Sequence, residues 1–284
     1  HALRVTSGGD RNGYYADFDG IAHLAKAYTN AYVYDGQFSN HRKKFFGTRA
    51  ATDHGRQFVV FSQNHDHVGN RMLGERTSQL VSFEMQKLLA GAVLMSPYLP
   101  MLFMGEEWSE PHPFLYFVSH TDPELAEAVR QGRKREFAAF HAEGEAPDPM
   151  AEGTFEESKV QWDLLDQEPH RSLLRYYRKL ITLRKEEPAL RHLNRMNLTV
   201  ELDEDRQTLL LWRWHEDQHV LCFMNFSEKP QPISLPAHIT SWQLLLYSAD
   251  ANWAGPCEPT DLLHNATTVT LEPHSLLICA HHHV

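Results

Sequence analysis

The stretch best equipped for chemistry is Phe61-Ser62-Gln63-Asn64-His65-Asp66-His67-Val68-Gly69-Asn70-Arg71, where a carboxylate, an imidazole and an amide crowd together behind an apolar run. These residue types suit a polyhydroxylated ligand. Every sugar hydroxyl both donates and accepts, and an Asp beside a His can grip two neighbouring hydroxyls. Gly69 lets the chain turn sharply just beyond them. A second polar cluster, Gly105-Glu106-Glu107-Trp108, follows another apolar run. A plainer account competes with the first: Asp66 caps a helix that starts at a strand end. Metal binding by His65, Asp66 and His67 fits less well, because alternate strand residues face opposite sides and no His-Glu-x-x-His pattern is present. Glu106 and Glu107 read as a solvated pair, and the basic run over residues 130–135 as a solvated helix face.

These clusters need elements to hold them. Residues 57–63 and 99–104 each carry a continuous apolar run, which predicts strands buried on both faces. Between them, residues 80–96 carry Leu80, Phe83, Leu88, Ala92 and Met95 at helical spacing, ended by Pro97. Strand, polar loop, helix, strand, polar loop is a βαβ order, with a parallel pair and a right-handed crossover expected. Functional residues of such architectures sit at the C-terminal ends of strands, where both polar clusters fall. Further helices are predicted over residues 19–30, 122–140 and 169–185. A polar loop dotted with aromatics is expected over 34–46, and a surface excursion over 141–158. Beyond Pro188 short apolar or alternating runs appear at 198–202, 208–214, 220–225, 242–247, 267–271 and 275–280. They predict an antiparallel β-domain of six or more strands. The boundary falls near 190–197, giving residues 1–193 as an α/β region and 194–284 as an all-β domain.

Composition narrows the class. With 284 residues, 42% hydrophobic and 23% charged, the chain can bury a substantial core; a disordered tail, a fibre and a disulfide-framed mini-domain are excluded. A formal charge of −10 argues against a nucleic-acid partner, which needs a basic stripe. No apolar run reaches the ~18 residues of a membrane span. Cys222, Cys257 and Cys279 are widely spaced, and no secretory leader is recognisable, so a cytoplasmic location is expected. The first residue is His, and a piece of a longer polypeptide is the expectation.

Asn64-His65-Asp66 behind its apolar run resembles the fourth signature region of the alpha-amylase superfamily of glycoside hydrolases. Gly13-Tyr14-Tyr15-Ala16-Asp17-Phe18, Tyr34-Asp35-Gly36-Gln37, residues 63–71, Pro100-Met101-Leu102-Phe103-Met104-Gly105-Glu106-Glu107 and Gly132-Arg133-Lys134-Arg135-Glu136-Phe137 resemble, in order, the malto-oligosyltrehalose trehalohydrolase family within it. The resemblance implies the C-terminal part of a (β/α)8 TIM barrel, carrying strands seven and eight, followed by an antiparallel β-sandwich. It implies that Asp66 is the third catalytic carboxylate. Asp66 would bind the 2- and 3-hydroxyls at the cleavage point and stabilise an oxocarbenium-like transition state, with His65 on one of the same hydroxyls. Asn64, Arg71, Glu106 and Trp108 would be neighbouring substrate-binding residues, and Tyr34, Phe45 and Phe46 would stack on sugar faces.

The chain departs from that pattern at its start. Retaining hydrolysis needs a nucleophilic carboxylate and a general acid about 5–5.5 Å apart. In the family these lie upstream of the motif at residues 13–18, and the residues preceding it here hold neither Arg-x-Asp nor Ala-Glu. The expectation is the C-terminal portion of a trehalose-releasing enzyme of trehalose biosynthesis, acting on the α-1,4 bond next to the trehalose unit of maltooligosyl trehalose. It needs no cofactor and no metal. The N-terminal part of the barrel would be its missing partner, and the 284 residues alone would be inactive. The alternatives are another α-1,4-glucan hydrolase or branching enzyme of the superfamily, and a non-catalytic glucan-binding module.

Overall fold

The structure, a computed structural model, describes residues 1–9, 11–139, 146–237, 239, 241–258, 263 and 266–282. Its first half runs α1 (Ala2–Thr6), α2 (Gly20–Asn30), β1 (Asp35–Ser39), β2 (Lys44–Gly47), β3 (Val59–Val60), α3 (His65–Gly69), α4 (Thr77–Leu80), α5 (Phe83–Leu94), β4 (Leu99–Pro100) and α6 (Pro123–Ala139). Then come α7 (Glu152–Glu156), α8 (His170–Glu186), α9 (Pro188–Arg191), β5 (Leu198–Asp203), β6 (Thr208–His215) and β7 (Gln218–Asn225). β8 (Gln231–Ser234), β9 (Gln243–Tyr247), β10 (Thr268–Leu271) and β11 (Ser275–His282) complete the chain. Contacts divide it into two compact units. The first holds residues 1–62, 82–101 and 172–284; the second holds 63–81 and 102–171.

The first unit is built on an antiparallel sheet in the order β5-β6-β7-β11-β9. Alternate residues of its central strands point to opposite faces, and both faces are apolar, so both are covered. One face meets the β8–β10 pair through a core of Leu210, Leu221, Phe223, Ile233, Leu271 and Cys279. The other carries Val220, Cys222, Met224, Leu276 and Ile278, all fully buried, and receives α5, which packs on β11, and α9, which packs on β6 and β7. Gly91 permits that approach of α5: a Cβ there would lie 2.1 Å from Leu276 Cδ2. β8 lies outside the expected strands because Pro232 argues against one, and it is tolerated in a two-stranded pair.

The helix expected over 80–96 is broken. Ser82 takes an extended conformation and its hydroxyl accepts from the Met85 N–H at 3.2 Å, which starts α5 afresh. Every residue of α5 from Met85 to Leu94 is buried. Buried Lys87 donates to the Ser248 carbonyl at 2.7 Å and the Trp253 carbonyl at 3.2 Å. At the other end, where helix carbonyls lose their partners, two guanidiniums converge. Arg184, from α8, donates to the Leu94 carbonyl at 2.6 Å, the Ser96 carbonyl at 2.7 Å and the Tyr98 carbonyl. Arg213, from β6, donates to Met95 at 3.0 Å, Ser96 at 3.2 Å and the His192 carbonyl at 2.7 Å. Burial lowers both pKa values. Arg213, where the Arg184 charge adds to the effect, falls to about 9, and Arg184 to about 10.

β3 and β4 pair in parallel, Val59 with Leu99 and Val60 with Pro100. They are shorter than the expected strands over 57–63 and 99–104, and they are not buried on both faces: Val59 is 57% and Leu99 39% exposed. Among the described residues each pairs only with the other, and Pro100 has no N–H to extend the ladder. The polar loop expected over 34–46 contains a hairpin, β1 with β2, with Phe38 opposite Phe45. α2, α6 and α8 lie where helices are expected, although Phe140 and residues 141–145 fall outside the described residues. Among the described residues no helix is long and apolar enough to cross a membrane. Cys222 and Cys279 are unpaired and buried, on opposite faces of neighbouring strands. Burial pushes the Cys222 thiol up to about 12 and the Cys279 thiol up as well.

Arg213→Met keeps most of the side-chain volume and removes every donor. It leaves buried carbonyls without that partner and is expected to lower the unfolding free energy by about 3 kcal/mol in urea titration; an unchanged midpoint would refute the clamp.

Candidate functional site

Gln63, 4% exposed, fixes the chain before α3 by accepting from the Thr77 N–H at 3.0 Å. Asn64 follows in extended conformation, and its side-chain oxygen accepts from the His67 N–H at 2.8 Å. The N-cap of α3 is therefore Asn64, and the plainer account of Asp66 as a cap is overturned. Val68 and Gly69 form the buried underside of α3, where a Cβ on Gly69 would sit 3.7 Å from the Phe114 carbonyl. His65 and Asp66 stand on the first turn with side chains 71% and 67% exposed, and His65 Nε2 lies 3.3 Å from Asp66 Oδ1. An acceptor carboxylate beside an imidazole, both open to solvent, can take adjacent hydroxyls of a polyol.

The other expected site residues are less available. Arg71 is forked onto Glu75, with Nε and Nη2 each 3.3 Å from a carboxylate oxygen. Glu106, only 8% exposed, accepts from the Phe103 N–H at 3.1 Å, and Glu107 accepts from the Gly105 N–H at 3.1 Å. The expected solvated pair is thus corrected at Glu106, which braces its own turn. Trp108 is buried beside it. Its ring is 3% exposed, its indole N–H donates to Glu110 at 3.2 Å, and the face it presents is taken by Trp162, 5.2 Å away. Gly105, at φ +91, makes the turn possible: a Cβ would lie 2.7 Å from Glu110 Cβ.

Arg76 holds this turn and was not singled out from the sequence. It is 1% exposed and donates to the carbonyls of His112 and Met104, both at 2.7 Å. Burial lowers its pKa, opposed by the charges of Glu110, Glu106 and Glu107. Its sequence neighbourhood, Gly74-Glu75-Arg76-Thr77-Ser78-Gln79, is polar and gives no signal of burial, and arginine is a type that is usually exposed.

Tyr34 and Phe45 belong to the first unit. The Tyr34 hydroxyl donates to Asp17 Oδ2 at 2.8 Å, and Asp17 also accepts from the Ser39 hydroxyl and from the His41 N–H at 2.9 Å. Partial burial pushes the Asp17 pKa up, but the hydrogen bonds from Ser39, His41 and Tyr34 outweigh it and hold the carboxyl at about 2. Tyr34 is thus a strut between two sequence motifs. Phe45 is 74% exposed, backed edge-on by Phe38 at 5.6 Å, and Phe46 lies under the Arg42 guanidinium, 4.2 Å away. Among the described residues no group of three or more His, Cys, Asp or Glu is placed to hold a metal ion.

Residues 197–278 match a family model described as "Domain of unknown function (DUF3459)". The chain is 43% identical over 186 residues to malto-oligosyltrehalose trehalohydrolase of Saccharolobus solfataricus, an alignment covering 66% of this chain and 31% of that protein. It is 38% identical over 254 residues to the enzyme of the same name from Rhizobium sp. (strain M-11), covering 88% of this chain and 41% of that protein. A crystal structure of a Salmonella typhimurium protein, provisionally assigned as an alpha-amylase, superposes with a TM-score of 0.81. That protein is 32% identical, and the match covers 99% of this chain and 45% of that one. The chain therefore spans less than half the length of the curated relatives it matches, and its sequence relationship to malto-oligosyltrehalose trehalohydrolases agrees with its ordered motifs.

Asp17 is ionised at lower pH when folded than when unfolded, so its contribution is complete above the unfolded value of 3.8 and is lost as pH falls through about 2. Urea midpoints measured from pH 5 to pH 2 are expected to fall more steeply for the wild type than for Asp17→Asn. Parallel curves would remove Asp17 as an acid-sensitive strut.

Proposed function

We propose that this chain, a relative of the malto-oligosyltrehalose trehalohydrolases, is the C-terminal portion of a retaining glycoside hydrolase that cleaves the α-1,4 bond next to the trehalose unit of maltooligosyl trehalose. The observation that carries the reading is the pair His65 and Asp66, exposed side by side on one capped turn within a sequence 36–43% identical to seven proteins named malto-oligosyltrehalose trehalohydrolase. Asp66 accepts hydrogen bonds from the 2- and 3-hydroxyls of the sugar at the cleavage point. These bonds strengthen as the ring flattens and the anomeric carbon becomes cationic, and the fixed negative charge favours that state over the ground state. His65 donates to one of the same hydroxyls. The nucleophile and the general acid come from polypeptide outside these residues, and no cofactor takes part.

In this reading residues 1–193 supply strands seven and eight of a (β/α)8 barrel, and 194–284 form a β-sandwich behind it. The parallel pairing of β3 with β4 and the two-layered core around Leu210, Phe223 and Leu271 support that assignment. Three unpaired cysteines favour a cytoplasmic enzyme.

In the full-length protein Asp66→Asn is expected to lower kcat by about a hundred-fold or more, the equivalent of the several kcal/mol such contacts supply, with KM changed by about three-fold at most. Trehalose release by chromatography is the readout, and a near-normal kcat would take Asp66 out of the catalytic set. The 284-residue chain alone is expected to release no trehalose; clear turnover would overturn the division of the site.

A further inference from the structure

α3 has five residues, and a helix this short does not hold its own geometry in water. Its beginning is fixed by Asn64 and its underside by Val68 and Gly69, as described above. Its far end is held by a residue from α6. Arg133 Nη2 donates to the Gly69 carbonyl at 2.8 Å, and Nη1 donates to the Asn70 side-chain oxygen at 3.1 Å. The Gly69 carbonyl is one of those a helix leaves without an internal partner, and a cation there complements the helix dipole. The guanidinium is itself fixed, lying over the Tyr116 ring with Cζ 4.5 Å from the centroid. Asn70, which Arg133 grips, donates its own N–H to the Asp66 carbonyl at 3.2 Å. The connection from guanidinium to the backbone of Asp66 is therefore two hydrogen bonds long.

The neighbours of Arg133 show that this is a property of one residue and not of the basic run. Lys134 and Arg135 are exposed, as expected of a solvated face, whereas Arg133 is half-buried. Only an arginine offers two parallel donors in a rigid fork, one for each acceptor; a lysine at this place could serve one of them.

We propose that Arg133 is a positioning residue. It sets the orientation of the turn that presents His65 and Asp66, and it acts on catalysis only through that turn. The proposal rests on the reading of Asp66 as the carboxylate that stabilises the transition state.

The test is a double-mutant cycle in the full-length protein, with kcat and KM for maltooligosyl trehalose and the thermal midpoint measured for each variant. Arg133→Gln is expected to lower kcat by about 10- to 100-fold, the usual cost of releasing a group that orients a reacting one, with KM within about two-fold. Arg133→Lys is expected to recover part of that loss. In an Asp66→Asn background Arg133→Gln is expected to cost little more, because a residue that acts through Asp66 has nothing left to orient. A kcat within two-fold of wild type for Arg133→Gln overturns the proposal. So does a loss that multiplies with that of Asp66→Asn, which would mark a general structural role. If Asp66→Asn itself retains near-normal kcat, the reading of the site fails first, and the proposal with it. Should Arg133→Gln lower the thermal midpoint enough to leave unfolded protein at the assay temperature, the same cycle is run at a temperature below its unfolding transition, and the same outcomes decide.

Discussion

A helix buried on every side has one physical problem that apolar packing does not solve: its last carbonyls must find donors away from water. In this protein two arginines distant in sequence meet that demand at the end of α5. Arg184 comes from α8 and Arg213 from β6, and both reach the Ser96 carbonyl. The helix, the sheet and α8 are thereby held by hydrogen bonds that none of them makes alone. The cost is visible in the depressed pKa of both guanidiniums, with one cation close to another. Carbonyl oxygens rather than carboxylates balance the charge, so the arrangement depends on position more than on ion pairing. It also explains why residues 82–101 share a compact unit with the β-strands and not with the segments that flank them in sequence.

The second unit repeats the device on a smaller scale. Its irregular segments present many backbone groups with no ladder to join, and side chains supply the partners. Arg76 holds two carbonyls of the turn that contains Glu106 and Trp108, Glu110 collects the N–H groups of His112 and Gln161 along with the Trp108 indole, and Asn64 caps α3. The outcome is a surface where exposed polar groups stand on short elements that have been stiffened from behind. Such stiffening suits a site whose groups have to meet a ring at fixed angles.

What could be read from the sequence divides along a physical line. Periodicity is a local property, so α2, α8 and, β8 apart, the strands from Leu198 to His282 are found within a few residues of where alternation and helical spacing put them. Burial by a particular neighbour is not local. The apolar runs at 57–63 and 99–104 announce a wish to be covered, but not what covers them, and they form only two ladder pairs. The Asn64-His65-Asp66 motif stands out in the sequence because its polar groups are adjacent, and the structure sets His65 and Asp66 side by side on the turn that Asn64 caps. Glu106, expected in a solvated pair, is buried, because a residue's type is the same whether it faces water or its own turn. Arg76 and Arg133 were invisible as braces: their acceptors are mainly backbone carbonyls, lying 36 and 64 residues away in their longest links. Every residue carries a carbonyl, so sequence marks none of them.

The two cysteines on the central strands offer a last consequence. Cys222 lies in the layer under the helices and Cys279 in the layer under β8 and β10, one residue out of register across the same strand pair. Their thiols are raised by burial, so an alkylating reagent meets neither a thiolate nor an opening while the sheet is closed. Each sulfur thus becomes a clock for its own layer. The order in which the two are labelled would reveal whether the helical cover or the small sheet lifts first, turning an otherwise silent pair of side chains into a record of how the molecule breathes.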